Sequence, residues 1–102
     1  TGIPKAIIKA CEKVDQCLEL LVKCLEEYDY SAVIIADHGN ADKMINNDGS
    51  SHTAHTLNMV PIIIFDKDVQ FVKNGKLADI APTLLNLMNI KKPIEMSGES
   101  LF

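Results

Sequence analysis

Two short polar segments carry the residue types that could do chemistry. Asp37-His38-Gly39-Asn40 directly follows an apolar run, and His52-Thr53-Ala54-His55-Thr56 shortly precedes another. A carboxylate beside an imidazole is a donor set for Mn²⁺, Zn²⁺ or Fe²⁺, and the absence of cysteine from both segments argues against a structural zinc site. Metals held this way polarise phosphoryl oxygens, lower the pKa of a nucleophile and hold it in line. Gly39 permits a tight turn and a close backbone approach between the donors. The plainer reading is a set of hydrogen-bonded surface or hinge histidines, and the three-residue spacing of His52 and His55 in a loop does not make both of them ligands.

These segments need elements to position them. Ser31 to Ala36 and Val60 to Phe65 are continuous apolar runs rich in β-branched residues, the pattern of strands covered on both faces in a parallel sheet. In such sheets, ligands bind at the carboxyl ends of the strands, where Asp37 and His38 fall. From Pro4 to about Glu27, Ile7, Ala10, Cys11, Val14, Cys17, Leu18, Leu21 and Leu25 recur at helical spacing, so a long amphipathic helix precedes the first strand. Asp79 can cap a last helix reaching Met88, with Pro82 in its first turn and Ile80, Leu84, Leu87 and Met88 facing inward. Val69 to Val72 with Asn74-Gly75 predicts a minor strand. Residues 37 to 59 form one long polar loop, which in a small domain has a job or is disordered. Its stretch from Lys43 to Ser51 is expected to be mobile.

Composition narrows the function classes. With 102 residues, 47% of them hydrophobic, the chain suits one compact α/β domain with a thin core. A net charge of -4, from 14 acidic and 10 basic residues, gives no footprint for nucleic acid. No apolar run approaches the roughly 18 residues of a membrane span, and no signal peptide is visible, so a soluble cytoplasmic protein is expected. Cys11, Cys17 and Cys24 read as reduced, structural thiols.

Taken together, ADHGNAD (Ala36 to Asp42), HTAHTLNMVPIIIF (His52 to Phe65), GKLADIAPTLLNLM (Gly75 to Met88), KPIEMSGESLF (Lys92 to Phe102) and the opening TGIPKAIIKACEKVD resemble cofactor-independent phosphoglycerate mutase. The resemblance covers essentially the whole chain. It implies an alkaline-phosphatase-like three-layer α/β/α fold with a mostly parallel sheet. It also implies a glycolytic isomerase that interconverts 3-phosphoglycerate and 2-phosphoglycerate through a phosphoserine, with two Mn²⁺ ions. By it, Asp37 and His38 are ligands of one ion and His55 of the other. His52 is a neighbour that orders the loop, and Asn40, Asp42 and Thr56 match without an assigned role.

The same resemblance places the serine nucleophile, further metal ligands and the substrate-holding Arg and Lys before residue 1. Residues 1 to 102 are thus expected to be the C-terminal segment of the metal-binding domain, with no catalytic residue of their own and at most weak partial metal binding. The longer protein is expected to be a monomer, while the isolated piece exposes an apolar edge and pairs with a copy of itself. Two rivals stand beside this reading. Phosphopentomutase shares Asp-His-Gly, but a proline shortly after that pattern and Arg-Glu after the later histidines are expected there, where this chain has Asn40-Ala41-Asp42-Lys43 and Ala54-His55-Thr56. The other rival is a non-catalytic metal-binding or interaction module.

Overall fold

A computed structural model describes residues 2–102, in the order helix α1 (Pro4–Glu27), strand β1 (Ala32–Ile35), strand β2 (Ile62–Phe65), a single 3₁₀ turn (Leu77–Asp79) and helix α2 (Ile80–Leu87). The chain divides into two units, one of Thr1–Tyr30 and Ala36–Pro61, the other of Ser31–Ile35 and Ile62–Phe102.

In the first unit, α1 runs for 24 residues with Pro4 in its opening turn, where the missing N–H has no intrahelical acceptor to lose. It stops where the periodicity stops, through a double hydrogen-bonded end. Asp29 takes the left-handed conformation (φ 53°), its N–H reaches Glu26 O, and Tyr30 N–H reaches Leu25 O at 2.9 Å. No residue of α1 is buried. Ile7, Leu18 and Leu25 are half-covered, whereas Val14 is 68% exposed. The three cysteines are free and exposed, so the packed role expected of them does not hold.

In the second unit, β1 and β2 pair antiparallel, Ala32 opposite Phe65 and Ile35 opposite Ile62. The parallel arrangement expected from the apolar runs is therefore not the one these two strands adopt. A parallel return needs a crossover, usually helical, and residues 36 to 61 contain no helix, so the chain comes back in the opposite sense. Each strand has one partner among the described residues, which leaves an outer edge on each.

The rest of the second unit is organised by Asp79, Thr83 and the tail. Asp79 does not cap α2 with its side chain. Its Oδ2 accepts the Lys76 N–H at 2.9 Å and its Oδ1 the Glu99 N–H at 3.0 Å. These two donors, Glu99 first, hold the carboxyl below its ordinary range. Thr83, 0% exposed, donates to Asp79 O at 2.6 Å and accepts the Leu101 N–H at 3.1 Å. Leu101 is the one buried hydrophobic residue described, at 4% exposure, and its carbonyl accepts the Lys73 N–H at 2.9 Å. That last bond is what the expected minor strand amounts to; residues 69 to 75 form no strand. On α2, Pro82 and Thr83 are the buried residues, and Leu84 and Met88, expected inside, are exposed. The tail meets the helix at both ends, with Leu101 N–H on Thr83 in the first turn and Ser100 Oγ accepting from Asn86 Nδ2 at 3.0 Å in the last.

Candidate metal centre

Both chemistry-bearing segments lie in the first unit, and a short antiparallel contact brings them together. Thr56 N–H donates to Gly39 O at 2.8 Å, forming an isolated β-bridge between the residue after His38 and the residue after His55. Gly39 is required there. A Cβ at that position would lie 2.9 Å from Asp42 Oδ1 and closer still to Thr56 Oγ1.

The bridge carries the histidines with it. The rings of His38 and His55 stack with centroids 3.5 Å apart and planes 14° from parallel. Asp37 Oδ1 lies 3.5 Å from His38 Nε2, with the carboxylate side chain 81% exposed and the imidazole 37%. His38 Nδ1 is 3.2 Å from Gly39 O. With the proton on Nδ1, donated to that carbonyl, the Nε2 lone pair faces the Asp37 carboxylate.

The donors fit a metal in part. Two atoms each bound at about 2.1 Å to one tetrahedral ion stand about 3.4 Å apart, so the Asp37 and His38 atoms are spaced like one edge of such a site. Stacked imidazoles cannot converge on a single ion, because their lone pairs lie in nearly parallel planes. Consistent with that, no group of three or more His, Cys, Asp or Glu side chains among the described residues is arranged to hold one ion.

Around the donors, polar residues build the loop. The stretch expected to be mobile is a closed hairpin: Ile45 bridges Ser51, Asn46 N–H reaches Ser50 O at 2.8 Å, and His52 N–H reaches Met44 O at 2.9 Å. Asp48 Oδ1 accepts the Ser50 hydroxyl at 2.6 Å and the Ser50 N–H at 2.9 Å, which holds its carboxyl below the usual range. The turn residues satisfy one another, so the hairpin needs no second domain to close it. His52 belongs to this hairpin and is not stacked with the other two histidines. Its Nδ1 lies 2.7 Å from Asn46 Oδ1, and its Nε2 is buried with no hydrogen-bond partner among the described residues. Asn40 Nδ2 donates to Ala54 O at 3.4 Å. Asn58, which the sequence did not single out, donates to Asp42. Its only signal is a polar residue three positions after His55.

No helix of the described residues is long and apolar enough to cross a membrane. A family model for the metalloenzyme superfamily matches residues 1–92. The chain is similar to proteins named 2,3-bisphosphoglycerate-independent phosphoglycerate mutase. It is 50% identical over 101 residues to that of Flavobacterium psychrophilum, 52% over 101 residues to that of Aster yellows witches'-broom phytoplasma, and 53% over 103 residues to that of Akkermansia muciniphila. Each alignment takes in 99% of this chain and 20% of the relative, so the chain spans about a fifth of the length of the relatives it matches.

Proposed function

The chain belongs to the metalloenzyme superfamily, and from that premise we propose that its residues form the C-terminal part of a phosphoglycerate mutase, contributing to both halves of a two-metal site. The observation that carries this reading is the stack of His38 on His55, which joins two motifs separated by the whole loop. Asp37 and His38 would hold one ion and His55 a second one. Divalent ions there, Mn²⁺ by the resemblance, would polarise the phosphoryl group being moved between the 2- and 3-positions of glycerate. The chain's own part is positional. Gly39 O lies within hydrogen-bond reach of His38 Nδ1, and the Gly39–Thr56 bridge sets the separation of the two imidazoles.

A serine nucleophile and the cationic groups that grip substrate belong, on this reading, to the other four-fifths of a relative-length protein. The 102 residues alone are therefore inactive, since phosphoryl transfer needs a nucleophile and a complete clamp on the phosphoryl oxygens. The fold in the longer protein is a three-layer α/β/α sandwich. The exposed face of α1 and the outer edges of β1 and β2 support this, because they are surfaces that further elements can cover. Left uncovered, the same surfaces bring two copies of the isolated chain together, whereas the longer protein is a cytoplasmic glycolytic monomer.

Calorimetric titration of Mn²⁺ into the chain tests the site. Binding with a dissociation constant of roughly tens of micromolar to millimolar, lost in both Asp37→Asn and His38→Ala, is expected. Tight stoichiometric binding that survives both substitutions would sink the assignment.

A further inference from the structure

One carboxylate of the loop is engaged on both sides of the site without being one of its donors. Asp42 Oδ2 accepts the Thr56 hydroxyl at 2.9 Å and also the side-chain amide of Asn58. Thr56 directly follows His55, and its N–H is bound to Gly39, which directly follows His38. The segment after His38 is thus fastened to the segment after His55 twice, once through the Gly39–Thr56 backbone bond and once through Asp42.

The backbone bond alone fixes little. An isolated bridge has no neighbouring ladder bonds to hold its register, and a slip of one residue would carry His55 away from His38. Asp42 removes that freedom by gripping Thr56 at the bridge and Asn58 in the bend that follows it. The donors on the carboxylate, Asn58 first and then Thr56, hold it below its ordinary range, so it is an anion and a pure acceptor at neutral pH.

We infer that Asp42 is a positioning residue, a clamp that holds the Thr56–Asn58 segment in register against the Asp37–Gly39 turn and thereby keeps His55 facing His38. This rests on the two-metal reading for its functional meaning, but the clamp itself is a property of the metal-free chain. It acts through Thr56 and Asn58, which separates it from the ligands: the oxygen turned toward the Thr56–Asn58 segment is already taken by two donors.

Ring-proton resonances of the histidines in the metal-free chain give the test, because an imidazole stacked face-on shields the protons above it. His55→Ala sets the reference by removing the upfield displacement of His38 Hε1. Asp42→Ala should lose that displacement to the same extent, while Asp42→Asn should retain it, since one amide oxygen can accept both donors. Displacement surviving in Asp42→Ala overturns the clamp. So does its complete loss in Asp42→Asn, which would put the role in the charge instead of the acceptor. If Asp42→Ala does not fold, Asn58→Ala removes one donor only; a reduced displacement is expected, and an unchanged one refutes the inference. Mn²⁺ then separates the two readings. Paramagnetic broadening of both stacked histidines in the wild type, weakened in Asp42→Ala, supports both. No broadening in a wild type whose displacement behaves as described removes the metal reading and leaves the clamp in place.

Discussion

Substituting Gly39 by alanine tests whether the contact between the two motifs holds the site together. Real Cβ contacts essentially never fall under 3.0 Å, and the added atom would come inside that limit to both Asp42 Oδ1 and Thr56 Oγ1. Neither neighbour retreats easily. Thr56 is β-branched and stiff at χ1, its N–H is tied to Gly39 O, and turning its hydroxyl away breaks the bond to Asp42. Overpacking of this kind costs about 1–3 kcal/mol. With a urea dependence on the order of 1 kcal/mol per molar for a small protein, the midpoint should fall by roughly 1–3 M. The steric origin can be isolated by a cycle with Thr56→Ala, which deletes the nearer clashing atom. On that background Gly39→Ala meets less resistance, so the double variant should be more stable than the sum of the single effects by about 1 kcal/mol or more. Mn²⁺ titration of the same four proteins should show affinity falling in Gly39→Ala and recovering in part in the double variant. Additivity within about 0.5 kcal/mol would refute the argument, because the cost would then lie in the backbone of residue 39 or in its approach to Asp42 and not in its meeting with Thr56.

Two further outcomes concern the second unit. Thr83→Val keeps shape but strips the Leu101 N–H of its acceptor in a fully buried place, so urea unfolding should show a loss of about 1–3 kcal/mol, with Thr83→Ser close to wild type; a loss under about 0.5 kcal/mol in the valine variant would mean that the tail is not held there. Asp79 titrates below its ordinary value of 3.8 because of the Glu99 and Lys76 N–H groups, so its share of stability is complete above that pH and is lost as pH falls through the folded value. Melting followed from neutral pH down to about pH 2 should fall less steeply in Asp79→Asn than in the wild type, and equal slopes would remove Asp79 as a titrating contributor.

What was legible in the sequence divides by range. The ends of α1 and β1 were readable because each is marked locally, by a change of periodicity or by the polar residues that follow. The sense of strand pairing was not, since β-branched runs report burial and say nothing of a neighbour's direction. Asp79 was readable as the residue before α2 but not for its partners, because its carboxylate takes the Lys76 and Glu99 N–H groups and Glu99 is brought to it by the tail. Gly39, Asp37 and His38 stood out by type and position, whereas His55 was separated from His52 only by the family resemblance. Asp42 and Asn58 did not stand out as a pair, because a carboxylate and an amide 16 residues apart carry no joint pattern until the Gly39–Thr56 bridge aligns them. The hairpin from Met44 to His52 was not legible for a related reason: polar turn residues signal a loop whether they bond to water or to one another.

The two kinds of bond in this chain scale differently with what surrounds it. Burial needs facing surface, and α1, with no buried residue, waits for surface that its own unit does not supply. The loop is held by short-range polar bonds: Ser50 to Asp48, His52 to Asn46, Thr56 to Asp42, and Thr56 to Gly39. Each of these closes within the first unit and depends little on how much apolar area lies elsewhere. It follows that the spacing of Asp37, His38 and His55 is set locally, ahead of any packing of α1. On the proposed two-metal reading, donors held this way stand near their working positions before any metal binds, so that completing the site costs less ordering than assembling it from a mobile loop. That makes the metal-free histidine stack, and not the affinity for metal, the property by which this part of the molecule should first be judged.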